Sequence, residues 1–357
     1  MNNKFIKDLI KASGSQYAAL AADGIIGDSD SWIDTGSYVF NALVSGSIYK
    51  GIPGTKVTML GGEESVGKTW FAISLAKSFL EANPTGYVFA WETESAFTEK
   101  MLDVRGIDKN RFVVAQVNTV QEFRVEVMKV LEQYEAYDEE EEKPPMLFLL
   151  DSLGNLSTNK EMDDMVKGDD KSDMTRAKLL RGTFRALTLK MARNKIPMIM
   201  TNHVYIVTGA YVPTKEQGGG LGGKYAASLI VFLSKSTERD TKTKELLGNI
   251  IKITTEKSRY TKEKEKVETF LSYETGMDRY YGLLPLAVEF GIVQKGPKKY
   301  VFPDGSSYYE NEINETPSVW TKEILDEIDK NCRIKFELGI RQTATVEEDE
   351  EDDAISD

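Results

Sequence analysis

The octet "GEESVGKT", residues 62–69, constrains this chain more than any other stretch. It satisfies G-x-x-x-x-G-K-[ST] with Gly62, Gly67, Lys68 and Thr69. Such a loop works only between a strand and a helix. The glycines let backbone N–H groups turn inward around a phosphate, and the helix N-terminus adds its partial positive charge. Both neighbours can be read in the sequence. "VTML" at 57–60 is a short β-prone run, and Phe71, Leu75 and Phe79 recur at helical spacing behind the loop. Lys68 would reach the β- and γ-phosphates, and the Thr69 hydroxyl would ligate magnesium. Glu63, Glu64, Ser65, Val66 and Trp70 complete the candidate cofactor-binding segment. The competing reading, a chance glycine turn, requires neither neighbour.

The alternation continues beyond the loop. "GYVFAWE", "RFVVAQV", "MLFLLD", "PMIMTN" and "ASLIVFL" read as strands. "VQEFRVEVMKVLEQY" and "DMTRAKLLRGTFRALTLKMAR" read as helices. Strands alternating with helices predict an α/β fold, a mostly parallel central sheet flanked by helices on both faces. "NIIKITTE" and "KVETFLSY" have no helix between them and are expected to extend the sheet as a hairpin. "YYGLLPLAVEFGIV" is expected to form a further helix. The expected organisation is an N-terminal helical segment at 1–33, the core at 34–293, a small C-terminal module at 294–345 and an acidic disordered tail at 346–357. Phe5, Ile6 and Leu9 would form the apolar face of the first helix.

Charge narrows the partners. The chain carries −12, which argues against nucleic acid until its distribution is read. The tail "EEDEEDDAISD" holds eight acids and no base, and a second acidic run, "DEEEE", spans 138–142. By contrast Met174–Lys195 holds Arg176, Lys178, Arg181, Arg185, Lys190, Arg193 and Lys195 with no acid, so a polyanion could find a basic face. One cysteine, Cys332, excludes an intrachain disulfide and any multi-Cys zinc site, and a reducing cytoplasm is expected. No apolar run approaches the ~20 residues that span a bilayer, and "MNNKFIKDLIKASG" lacks the features of a secretory signal.

Three further positions bear on chemistry. "MLFLLDS" ends an apolar strand in Asp151, where an acid can hold magnesium or its water. "FAWETES" places Glu92 and Glu94 on one face by period two, and on residues alone either could activate water. The only histidine, His203, closes "PMIMTNH" where the apolar run Met198–Met200 stops.

Taken in order from Asp34 to Val293, "DTGSYVFNALVSGSIYKGIPGTKVTMLGGEESVGKT", "ETES", "FLLDSLGNL", "MTNH", "GGGLGGKYAAS" and "TEKSR" resemble the RecA recombinase family, most nearly its phage members. The resemblance implies a RecA-type ATPase core using ATP and Mg2+. It implies helical filaments of this chain on single-stranded DNA and pairing with homologous duplex DNA. It also implies a single-strand-binding protein and a loading mediator as partners, in the host cytoplasm if the chain is viral. By motif position Glu94, not Glu92, is the catalytic base, and Ser152 follows the metal-binding Asp151. Lys257 and Arg259 stand where the family supplies cations to the neighbouring protomer's γ-phosphate. Met101 occupies the position where relatives stack a tyrosine on adenine. The family's sensor after the Asn is usually Gln. His203 in its place implies that hydrogen bonding, rather than titration, is the shared property.

The same resemblance implies two DNA-binding loops, one from Asn155 to about Lys171 and one from Val204 to Gly223. Tyr205, Tyr211, Lys215, Gly219 and Gly220, with Lys224 after them, suit stacking on bases and attraction of phosphates. Asp163, Asp164, Asp169 and Asp170 would repel phosphate, which favours Arg176 and the second loop as contacts. The leading expectation is a DNA-dependent ATPase acting in strand exchange. The alternatives are a RecA-core ring helicase and a non-hydrolysing ATP-binding filament or adaptor protein.

Overall fold

Each buried strand splits its side chains between two cores, because successive residues point to opposite faces of a sheet. Leu147 and Leu149 of the strand Met146–Asp151 join one cluster, and Phe148 and Leu150 join the other. Leu60 and Met59 divide the same way, as do Ile199 and Met200. This is why these strands read as continuous apolar runs rather than alternating ones. The computed structural model describes residues 3–25, 28, 31–137, 143–168, 174–207, 214–217, 221–239 and 246–339.

The principal sheet has the order 276–277, 266–272, 246–258, 229–239, 57–62, 198–207, 146–151, 87–92 and 112–116. From 229–239 to 112–116 every neighbouring pair is parallel. The strands 246–258, 266–272 and 276–277 continue it antiparallel. The sheet is therefore mixed and largely parallel, with the hairpin extension the sequence predicts.

Helices cover both faces. Lys68–Ala82 buries Phe71, Leu75 and Phe79 in the first cluster, which also takes in the helix Tyr38–Ser45. Val120–Glu135 and Arg176–Arg193 bury Phe123, Val127, Leu180, Phe184 and Leu187 in the second. The first of these starts on a capping box in which Thr119 and Glu122 exchange hydrogen bonds. Trp91 fills the second core between Phe89, Phe123 and Phe148, and its indole N–H donates to Glu126 at 3.1 Å.

The segment after Val293 packs on the first core. Leu325, Ile328, Cys332 and Phe336 of the helix Lys322–Phe336 belong to the same cluster as Val39 and Leu43. Asp329 fixes the contact by accepting from the Ser47 hydroxyl at 2.6 Å and the Ile48 N–H at 2.8 Å. The helix Asn3–Ala12 leaves Phe5 61% and Leu9 52% exposed, so the apolar face read from the sequence is uncovered within the chain.

Two segments expected as loops carry regular structure. Residues 159–167 form a nine-residue helix, started by a capping box between Thr158 and Glu161 and ended on Gly168 in the left-handed conformation. The strand Met198–Val207 runs four residues past His203, and Thr214–Gln217 pairs back on it with Val204 opposite Gln217. Leu221–Ala226 is a short helix. Tyr211, Gly219, Gly220, Asp169, Asp170, the run 138–142 and the acidic tail lie outside the described residues.

Candidate nucleotide site

Four strand ends meet at one edge of the sheet. Gly62 is in register with His203, and Glu92 with Asp151, while Met200 and Leu150 pair between them. Parallel strands deliver these residues to a common C-terminal edge, where open α/β sheets hold their ligands. The phosphate loop leaves that edge at Gly62 and enters the helix Lys68–Ala82. Gly67 caps the helix with φ 96°, a left-handed backbone that glycine adopts without strain, and Ser65 also has positive φ, 56°. Val66 is buried, and Glu63, Glu64 and Ser65 are exposed around the loop.

Lys68 is buried, and its ammonium donates to the carbonyls of Gly62 at 3.1 Å and Glu63 at 2.8 Å. Burial lowers its pKa, and the charges of Glu94, Asp151 and Glu64 oppose that shift. Its Nζ also lies 3.5 Å from Nδ1 of His203. Nε2 of the same ring is 2.9 Å from Oε1 of Glu94. An ammonium can only donate, so Nδ1 accepts and Nε2–H donates to the carboxylate. One neutral tautomer satisfies both contacts, and it links Lys68 to Glu94.

Glu94 Oε1 takes two further donors, the Ser152 hydroxyl at 2.8 Å and the Asn155 amide at 2.8 Å. No side chain or backbone donor among the described residues reaches Oε2, which is left for solvent. Burial pushes this carboxyl upward. The hydrogen bonds from His203 and Ser152, with the charge of Lys68, outweigh it and hold the pKa below the ordinary glutamate value. Glu92 has a different place. It is buried, and its Oε1 accepts from the backbone N–H groups of Glu94 and Ala96, so it shapes the turn that presents Glu94.

Asp151 is buried beside Thr69, whose hydroxyl donates to Oδ2 at 2.6 Å, and Thr201, whose hydroxyl donates to Oδ1. Burial raises its pKa, more than these two hydroxyls and Lys68 lower it. A buried carboxylate flanked by hydroxyl oxygens fits a hard divalent cation, whose charge would keep it ionised. Among the described residues no three acidic, His or Cys side chains cluster as a self-sufficient metal cage. Magnesium held by Thr69 and Asp151 would draw its other ligands from phosphate and water, as that ion commonly does.

The remaining predicted residues divide. Met101 is half-buried against the first core, and Trp70 lies beside Arg105. Lys257 and Arg259 are not brought to this edge. Lys257 pairs in register with Ile230, and the Arg259 N–H donates to the carbonyl of Ser228. That level matches Thr58 and Met59 at the start of the phosphate-loop strand, roughly 13 Å from Gly62 at ~3.3 Å per residue. Lys257 donates to the Lys224 carbonyl at 2.9 Å, and Lys224 lies 3.7 Å from Glu256. Arg176 is half-buried and donates to the Gly154 carbonyl, which ties the basic helix to the turn bearing Asn155. Tyr205 and Lys215 stand on the paired strands, opposite Glu216 and Ile206. Sequence reasoning missed Asn155 and Thr201. Thr201 was readable, since period two puts it on the face of His203; Asn155 had no local signal.

The fold and its glycine loop define the class, an α/β protein that presents a glycine loop of the phosphate-binding pattern at the C-terminal edge of a largely parallel sheet. Comparison with known proteins then narrows it. The profile of the RecA N-terminal domain matches residues 25–278, and the chain belongs to the RecA family. It is 30% identical over 288 residues to the "Recombination and repair protein" of Enterobacteria phage T4, covering 80% of this chain and 71% of that one. It is 24% identical over 300 residues to the protein RecA of Thermotoga maritima, covering 81% and 79%. With the protein RecA of Deinococcus radiodurans the identity is 25% over 257 residues, covering 71% and 67%.

Proposed function

We propose that this chain is an ATP-hydrolysing recombinase of the phage type. In this reading it forms helical filaments on single-stranded DNA and catalyses homologous pairing and strand exchange in recombination, repair and recombination-dependent replication. The observation that carries it is the connected set Lys68–His203–Glu94, placed one strand from the Thr69–Asp151 pair. A protein that only bound nucleotide would not need an ionised carboxylate with a free oxygen held beside the phosphate-loop lysine.

The roles follow from the atoms. Lys68 exchanges its two carbonyl partners for phosphate oxygens when nucleotide enters. Thr69 and Asp151 would hold Mg2+, which neutralises charge on the β- and γ-phosphates. Glu94 orients the attacking water through Oε2 and accepts its proton. Ser152, Asn155 and His203 keep Oε1 occupied, so the carboxylate presents one oxygen in one direction. His203 reports the state of this cluster to the strand that continues into the hairpin 204–217. Lys257 and Arg259, turned away from their own loop, act on the γ-phosphate of an adjacent protomer, which couples hydrolysis to assembly. Arg176, Tyr205, Tyr211, Lys215, Gly219, Gly220 and Lys224 form the DNA-facing surface, and the exposed Phe5 and Leu9 dock on a neighbouring copy.

Electron microscopy with single-stranded DNA, with and without ATP, tests this directly. Helical filaments and DNA-stimulated ATP hydrolysis are expected. Closed rings would replace the recombinase with a ring-shaped motor, and ATP binding without turnover would leave an adaptor.

A further inference from the structure

A two-residue link joins the Glu94 cluster to the basic helix Arg176–Arg193. Leu153 and Leu156 are fully buried, and between them Gly154 is half-buried and Asn155 exposed. A β-carbon on Gly154 would come within 2.9 Å of Oδ1 of Asn202, so the link rests on the strand that carries His203. It has a tie on each side. The Asn155 amide donates to Oε1 of Glu94 at 2.8 Å, and the Gly154 carbonyl accepts from Nη2 of Arg176. The Leu153 carbonyl lies 3.5 Å from the same nitrogen.

An exposed amide exchanges its partner readily for water, so the hold of Asn155 on Glu94 depends on how firmly the peptide between Gly154 and Asn155 is fixed. Arg176 does the fixing with a poorly compensated charge. It is half-buried, its Nε is buried without a hydrogen-bond partner, and among the described residues no carboxylate pairs with it. Its two acceptors are neutral carbonyls reached through one nitrogen of a five-donor fork. Holding a partly desolvated cation there costs free energy, and an anion alongside would offset that cost. Lys178, Arg181 and Arg185 continue the same helix with no acid among them. A polyanion drawn to that run would bring a phosphate to Arg176 as well.

We propose that Asn155 is a positioning residue for Glu94 and that a DNA phosphate at Arg176 secures its hold. The inference rests on the reading of this chain as a DNA-dependent ATPase. With an anion beside it the guanidinium stays on the Gly154 carbonyl, and Asn155 joins Ser152 and His203 on Oε1; this engaged arrangement is the one the structure shows. Without the anion the guanidinium divides its time between the carbonyl and water, and Asn155 lets go. Phosphate favours the engaged state because it binds that state more tightly. DNA then raises turnover by orienting the base, along a path that does not pass through His203.

The test is steady-state ATP turnover of wild type, Asn155→Ala, Arg176→Ala and the double variant, with and without saturating single-stranded DNA. Asn155→Ala should lower kcat with DNA about tenfold or more, the loss of one hydrogen bond to a charged group. It should lower the DNA-free rate less, so the stimulation ratio falls, while KM for ATP stays within about twofold. Arg176→Ala should lower the ratio as much. The double variant should fall no further, because two groups acting in series do not add. Equal loss with and without DNA in Asn155→Ala would overturn the relay, and so would losses that multiply in the double variant. Asn155 is exposed, so its variant decides the point even if Arg176→Ala fails to fold. Wild-type turnover that DNA does not stimulate would sink the DNA-dependent reading and the relay with it.

Discussion

The two ends of the strand Val57–Gly62 differ in one respect. At its C-terminal end every functional side chain has a partner within the chain: Lys68 with carbonyls, Asp151 with hydroxyls, Glu94 with three donors. At the level of its N-terminal end, Lys56, Lys257 and Arg259 lie near one another, opposed only at a distance by Asp28 and Glu263. Burial and the neighbouring Arg259 both lower the pKa of Lys257, and the same two causes act on Lys56. Among the described residues neither Lys257 nor Arg259 is paired with a carboxylate. The first end is self-sufficient. The second lacks a directly paired carboxylate among the described residues, as the proposed action on an adjacent protomer's phosphate requires.

The strongest way to break this comparison is at the second end. Lys257→Ala or Arg259→Ala should cut DNA-stimulated hydrolysis by about 10³-fold or more, the usual magnitude for a cation supplied in trans. Mixing either variant with Glu94→Gln should restore part of the activity, because hybrid interfaces pair an intact cation set with an intact base. Absence of complementation would place both functions within one chain.

At the first end, Glu94→Gln should retain ATP binding and lose about 10²–10⁴-fold in turnover. Full turnover would remove Glu94 from the role of base. Glu92→Gln should instead cost about 1–3 kcal/mol of stability, read as a lower unfolding midpoint, because a buried acceptor of two N–H groups is weakened.

His203 sharpens the comparison with a smaller effect. Gln offers one acceptor and one donor, as the neutral imidazole does here, so His203→Gln should keep turnover within severalfold. His203→Ala removes both contacts and should lose about tenfold or more, one or two hydrogen bonds in a desolvated cluster.

The smallest effect is on pH. The folded pKa of Glu94 is depressed, so its contribution to stability is complete above the unfolded value of about 4.3 and is lost as pH falls through the lower folded value. The acid limb of hydrolysis in wild type should therefore lie below the ordinary glutamate range. His203→Ala removes a hydrogen bond that lowers this pKa, so its acid limb should move upward. An unshifted limb would mean that another group controls it.

Legibility from the sequence followed the range of the interactions. The phosphate loop, the strand ending in Asp151 and the largely parallel sheet rest on local pattern, and these were readable. The helix 159–167 was also readable in principle, since Thr158 and Glu161 make the S/T-x-x-E signature, but the family resemblance implied a DNA-binding loop there. The hairpin through Val204 and Gln217 depends on pairing across an intervening segment, which no window of residues reports. Asn155 and Arg105 acquire their partners from elements 61 and 35 positions away in the chain, Glu94 and Trp70. Those contacts exist only once the sheet has brought the segments together.

The unbroken strand Met198–Val207 restricts how this protein can vary in length. Side chains alternate along it, so one inserted or deleted residue between Met200 and His203 would swing the imidazole to the opposite face and aim Asn202 or Val204 at Glu94. Beyond Val207 the same change leaves the candidate site in register. Length polymorphism among viable variants should therefore be confined to the distal side of the hairpin, and the interval from the core to the histidine should keep a fixed count.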